Sequence, residues 1–192
     1  KTLNITKEKI EKNLISIRNF NSAIKIHNPN FPININPITS SLLFHYYCDG
    51  SRSNWCQSIE KHPKNRERYF QKIEKSIGKI INWNSKKYQE IYIPVIIYQI
   101  LENLFNINRY NLTEIKFPRG FLKLGDEILL GALIAIISDE GNICKNHYEI
   151  RISQKDKKAI ELFHKICKKL KYDVSSIIKV NKKEIYSFKI RW

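Results

Sequence analysis

Apolar residues recur along the chain at two spacings, about 3.6 residues and about 2, and the switches between them mark out the elements. In NITKEKIEKNLISIRNF (4–20), Ile10, Leu14 and Ile17 keep helical spacing and Thr6 stands where an N-cap belongs, so a helix is expected. The Pro- and Asn-rich stretch from Asn28 to Pro37 reads as an extended connector. SSLLFHYYCDGS (40–51) predicts a short apolar helix, capped by Ser40 or Ser41 and stopped by Gly50. WCQSIE predicts a strand. His62-Pro63 opens a helix carrying Tyr69, Phe70, Ile73 and Ile77, which ends at Gly78. Lys79 to Trp83 and Glu90 to Ile93 predict strands, and Pro94 opens the apolar helix PVIIYQILENLF with proline at its first position.

Beyond a polar link (106–114) and the segment KFPRGFLKL, the order begins again. Asp126 caps the predicted helix EILLGALIAIISDEG, which ends at Gly141. ICK and HYEIRIS predict strands. QKDKKAIELFHKICKKLKY predicts a helix with Ile160, Phe163, Ile166, Cys167 and Leu170 on one face, and VSSIIK and IYSFKIRW predict two further strands. Apolar helix, acid-Gly, strand pair, basic amphipathic helix and strand pair therefore occur twice. The expected organisation is an N-terminal helix and connector (1–37), a first repeat (38–117) and a second repeat (118–192), packed as a pseudo-twofold pair. The first repeat ends in a third helix (94–105) with no counterpart in the second.

Charge adds a partner class. The chain has 192 residues, with 34 Lys plus Arg against 18 Asp plus Glu, a formal charge of +16. Such an excess points to a polyanion, nucleic acid foremost, without separating DNA from RNA. At 42% hydrophobic residues the chain can fill a core, which argues against disorder. No apolar run reaches the roughly 18 residues of a membrane span, and the start carries no signal pattern, so no membrane partner is expected. Cys48, Cys56, Cys144 and Cys167 form no CxxC pair, which argues against a zinc cluster and for reduced thiols in a reducing compartment. The absence of Met and the start at Lys1 suggest a processed, trimmed or partial chain. The abundance of Ile, Asn and Lys is that of an AT-rich genome, prokaryotic or organellar.

Both apolar helices finish on a carboxylate followed by glycine: Cys48-Asp49-Gly50 and Asp139-Glu140-Gly141. The glycines have an ordinary explanation, since helices often stop on a left-handed glycine. The acids do not. A carboxylate at a helix C-terminus faces the negative end of the macrodipole and costs about 0.3–1 kcal/mol. Two of them at matching places call for a cation or a function.

LLFHYYCDG (42–50) and LIAIISDEG (133–141) resemble the two motifs of a LAGLIDADG homing endonuclease in its single-chain, two-repeat form. The resemblance covers about 38–192, where KFPRGFLKLGDEILLGAL is similar to the family's lead-in to a second motif and ISQKDKKAIELFHKICKKLKY to its amphipathic helix. It implies an α+β fold of two pseudo-twofold αββαββα repeats, the second without its last helix, with the motif helices at the interface and a basic β-sheet saddle on DNA. It implies that Asp49 and Glu140 are catalytic and hold a divalent cation, normally Mg2+, for double-strand cleavage. Small residues are wanted where the motif helices touch. Cys48, Gly50, Ala135, Asp139 and Gly141 fall at these interface positions, as does Phe44, where a ring is expected to hold the helices apart or tilt them. Asp139 at its motif position is a variation associated with archaeal-looking members. It favours the cytoplasm or nucleoid of an archaeon over another prokaryote or an organelle matrix.

Strand alternation selects the surface. In the last strand, Tyr186, Phe188, Ile190 and Trp192 share one face and Ser187, Lys189 and Arg191 the other. Tyr148, Ile150 and Ile152 alternate with His147, Glu149, Arg151 and Ser153. The polar, basic face fits a nucleic-acid groove, with Lys145, Arg151, Ser187, Lys189 and Arg191 as contacts in the second repeat and Arg52 and Gln57 in the first. Arg151 and Lys189 are also candidates for a basic residue beside the acids. Trp55 reads as core. Lys64, Arg66, Arg68, Lys155, Lys157 and Lys158 read as solvated helix faces. The five histidines form no metal-spaced set, and His45 reads as structural. Double-stranded DNA is the first expected partner and structured RNA the second, with the chain a monomer. Three readings follow. One is a Mg2+-dependent site-specific DNA endonuclease. The second is a silent derivative that only binds: a DNA-binding regulator, an intron maturase or a protein of structured or ribosomal RNA. The third is an unrelated basic α/β protein.

Overall fold

The computed structural model of the chain describes residues 7–18, 25–51, 56–58, 63–81, 91–93, 95–107, 120–144, 147–180 and 184–191. Helix α1 (Lys7–Asn13) is shorter than its periodicity predicts, because the chain turns into strand β1 (Ser16–Ile17). β1 pairs with β2 (Lys25–His27), and β2 pairs with β5 (Lys79–Ile81), all antiparallel. Backbone pairing of Ile17 with the buried Ile26 overrides the helical spacing of its side chain. Thr6, the expected cap, lies outside the described residues.

Helix α2 (Pro37–Asp49) starts before Ser40. Asn36 is its cap: Asn36 Oδ1 accepts from the N–H groups of Ile38 and Thr39, each at 2.9 Å, and Thr39 Oγ1 accepts from Asn36 N at 2.9 Å. This reciprocal pair satisfies orphan donors of the first turn, and Pro37 sits where no donor is needed. Ser40 and Ser41 are therefore inside the helix and buried. After α2, β3 (Gly50–Ser51), β4 (Cys56–Ser58) and β6 (Ile91–Ile93) make a three-stranded antiparallel sheet. α3 (Pro63–Ser76) and α4 (Val95–Leu104) cover this half, and Tyr46 of α2 stacks on Tyr98 of α4 with ring centroids 3.6 Å apart.

The second half begins with a 3-10 turn (Phe121–Lys123) and α5 (Asp126–Glu140). Gly125 is the cap residue and Asp126 the first helical residue, where its carboxylate favours the positive end of the helix without a capping hydrogen bond. β7 (Gly141–Cys144), β8 (Glu149–Gln154), α6 (Lys157–Lys169), β9 (Asp173–Val174), β10 (Ile178–Val180) and β11 (Ile185–Arg191) follow. The sheet runs β10-β11-β8-β7, with β9 also paired to β11. The strand expected from VSSIIK is thus split in two. At the break, Ser175 N donates to Lys189 O at 2.9 Å and Ser175 Oγ accepts from Lys189 N at 3.0 Å. α6 is capped by Asp156, whose Oδ1 accepts from Lys158 N at 2.8 Å. Its buried face of Ala159, Ile160, Phe163, Ile166 and Cys167 covers the apolar side of the sheet, where Ile152, Phe188 and Ile190 are buried. Burial pushes the Cys167 thiol up to about 12.

Phe44 does not part the motif helices. Its ring is fully buried in the second half, 5.3 Å from the Phe121 ring and 6.2 Å from the Phe163 ring, centroid to centroid. The helices still meet at backbone distance, because Gly131 of α5 lies against the Pro37 carbonyl with no room for a Cβ. Gly141 also departs from expectation. At φ −88° and ψ 132° it is extended, not left-handed, and a Cβ there would strike the Ile137 carbonyl. The glycine is needed for space. Gly78, at φ +143° and pressed on Ile26, is the one described glycine that its backbone angle requires.

Candidate nucleic-acid interface and acidic helix ends

Two cross-helix contacts orient α2 and α5. Pro37 meets Gly131 near the start of the pair and His45 meets Asp139 near the end, so the helices run parallel. Their last residues, Asp49 and Glu140, therefore finish at the same end of the pair. Glu140 is half-buried, and its Oε1 accepts from Gln154 Nε2 at 2.6 Å. Gln154 Oε1 in turn accepts from Lys155 N at 2.7 Å, which fixes the amide with its NH2 toward Glu140. The side chain of Asp49 lies outside the described residues.

A polar chain crosses the seam just above these ends. Asp139 Oδ2 accepts from His45 Nδ1 at 2.8 Å, and the two side chains are 7% and 12% exposed. Lys72 Nζ of α3 lies 3.1 Å from His45 Nε2 and donates to Ser41 Oγ at 3.0 Å. An ionised Asp139 only accepts, so Nδ1 carries the ring proton and Nε2 accepts from the ammonium. Burial lowers the Lys72 pKa, Asp139 raises it in part, and Arg68 lowers it further. Asp139 thus reaches across to His45 where a bare small-residue contact is expected.

The sheet of the second half has one helix-covered face and one polar face. Register places Asn142, Arg151 and Lys189 in one row across β7, β8 and β11, and Cys144, Glu149, Arg191 and Asp173 in the next. Arg151 is exposed. Lys189 Nζ is 2.7 Å from Glu149 Oε1, and that hydrogen bond, the largest effect, holds the Glu149 carboxyl below the usual carboxylate range. Arg191 faces Asp173 at 3.7 Å.

The expected contact residues separate under this geometry. Arg151, Lys189 and Arg191 share the polar face. Ser187 shares their register but is 3% exposed and presents nothing to a partner. Gln57 pairs with Ser51 and Tyr92 through its backbone in β4, and its side chain is not among those described. Arg52, Lys145 and Trp55 lie outside the described residues. Ala135 is buried in the seam, Cys48 is half-buried, and Gly50 opens β3. Arg68 is exposed, as a solvated helix face requires.

Two residues escape the sequence reading. Gln154 continues the apolar face of Ile150 and Ile152, and a polar residue on that period-two face was its signal. Lys72 lies between Tyr69 and Ile73 on a helix rich in Lys and Arg, where one inward lysine leaves no distinct mark. Among the described residues no cluster of three His, Cys, Asp or Glu side chains converges. No described helix is long and apolar enough to cross a membrane.

No protein-family model matches the sequence, and no curated protein matches it either. Solved structures do match in fold. The structure of I-DmoI in complex with DNA and Mn is 13% identical, covering 82% of this chain and 90% of that chain at a TM-score of 0.54. Mesophilic variants of the homing endonuclease I-DmoI are 14% identical, covering 82% and 89% at 0.53. The N-terminal LAGLIDADG domain of DUF199/WhiA is 14% identical, covering 85% and 80% at 0.52.

Proposed function

Because the chain has a LAGLIDADG-like fold, we propose that it binds double-stranded DNA and cleaves its site with a divalent cation held by Asp49 and Glu140. The observation that carries the reading is the parallel contact of α2 and α5, which brings two acid-Gly helix ends to one place. Carboxylate oxygens are hard donors of the kind Mg2+ or Mn2+ takes, so the donor set fits such an ion. Two structures similar in fold are homing endonucleases by name, one of them with DNA and Mn.

Once bound, the cation lowers the pKa of an attacking water and stabilises charge on the phosphate. The chain's own residues supply position. Arg151, Lys189 and Arg191 attract phosphate and lay the duplex along the sheet, joined in this proposal by Arg52, Gln57 and Lys145. Gln154 aims the Glu140 carboxylate. The Asp139–His45–Lys72 chain ties three helices above the acids, which matters because a displacement of about 1 Å at a reacting centre costs about a hundredfold in rate. A second reading, binding without cutting, is favoured by one contact: Gln154 already engages one oxygen of Glu140.

The test is incubation with a random-sequence duplex library in Mg2+, followed by sequencing of the ends. Cleavage that Glu140→Gln abolishes while binding persists is the expected result. Equal cleavage by Glu140→Gln overturns the metal assignment. Binding with no cleavage by the wild-type chain selects the second reading, and preference for structured RNA over duplex overturns both.

A further inference from the structure

Resting on the reading of the polar sheet face as a duplex-DNA surface, the inference starts from a residue that does not belong there. Glu149 puts a carboxylate in the middle of a basic face, and it is 6% exposed. A negative charge on that face repels phosphate, so general attraction to a polyanion does not account for it. What it does locally is hold Lys189, with Nζ and Oε1 2.7 Å apart. The backbone of Lys189 is fixed too. It pairs with Arg151 on one side and is bound on the other by Ser175, through both its N–H and its carbonyl.

The other two cations differ. Arg151 is exposed, and Arg191 faces an exposed Asp173 at 3.7 Å. A mobile cation suits the diffuse charge of a phosphate backbone. A lysine fixed on the inner part of a sheet suits an acceptor at one fixed place, and sites built on strands hold position better than sites on loops. In the major groove, guanine offers two such acceptors, O6 and N7, to a lysine. We propose that Lys189 reads a guanine in the major groove, that Glu149 is the positioning residue that presents it, and that Arg151 and Arg191 hold phosphates.

The experiment is selection of binding sites from a random duplex library by the wild-type chain and by Lys189→Met, Glu149→Gln and Arg151→Gln. Affinity for one unselected duplex is measured against salt alongside. The wild-type sites are expected to share a guanine at one position. Lys189→Met and Glu149→Gln lose that preference by about tenfold. Glu149→Gln binds the unselected duplex at least as tightly as the wild type, since a repelling charge is gone. Arg151→Gln keeps the guanine, weakens all sequences evenly and lowers the salt slope by about 1. If Glu149→Gln melts lower but selects the same bases, its role is structural and the inference fails. If Glu149→Gln does not fold, Lys189→Met, altered at a partly exposed side chain, decides. Duplex binding by the wild type with no shared guanine overturns this inference alone, and no duplex binding overturns the reading beneath it.

Discussion

Lys72, His45 and Asp139 come from three helices and meet in the seam between α2 and α5. Each is polar or charged in a setting that would otherwise be apolar, and each is tolerated because the next satisfies it. Removing one partner from such a set leaves a buried charge behind, which costs about 3–5 kcal/mol, whereas removing the set as a whole costs less. Asp139→Ala is therefore expected to destabilise the fold by about 3 kcal/mol. His45→Ala in the same chain should add little, giving a coupling of about 1–3 kcal/mol in urea unfolding. Additive losses would mean the contact is incidental. At Glu149 the expectation concerns pH. Lys189 holds its folded pKa below the ordinary carboxylate value, so the unfolded chain takes up the proton first as acid is added. The pair's contribution is full above the ordinary value and is lost as pH falls through the folded one. The stability gap between the wild type and Glu149→Gln, measured by urea unfolding, should shrink on going from about pH 7 to about pH 2.

At the level of elements, the two motif helices settle the question of Phe44. A wedge would strain the pair, and cutting it back would relieve strain. A core residue leaves a hole. With its ring packed on Phe121 and Phe163, Phe44→Ala is expected to cost about 3–5 kcal/mol in denaturant unfolding. Gly131→Ala, which pushes a methyl into the Pro37 carbonyl, should cost about 1–3 kcal/mol or more. A stabilising Phe44→Ala would restore the wedge. The order of elements from α2 onward was legible because each helix and strand keeps its own spacing. What was not legible came from partners distant in sequence. Ile17 keeps helical spacing yet pairs with Ile26. Asn36 outcompetes Ser40 and Ser41 as a cap because Thr39 completes a reciprocal pair. The acid-Gly ends stood out in the sequence because a carboxylate there opposes the helix dipole, whereas Gln154 and Lys72 take their places only from the fold.

For the whole molecule, a formal charge of +16 gives long-range attraction to any polyanion, and the fold gives that attraction a direction. One sheet presents its polar face with Arg151, Lys189 and Arg191. The parallel helix pair brings Asp49 and Glu140 to one end. The account stands or falls on whether those two carboxylates share a cation. The measurement that tests this most directly is anomalous scattering from crystals of the chain grown with Mn2+. The account predicts a peak at the ends of α2 and α5, between Asp49 and Glu140, that Glu140→Gln removes. A fully occupied Mn2+ elsewhere, with the two carboxylates turned apart and no density between them, would contradict it.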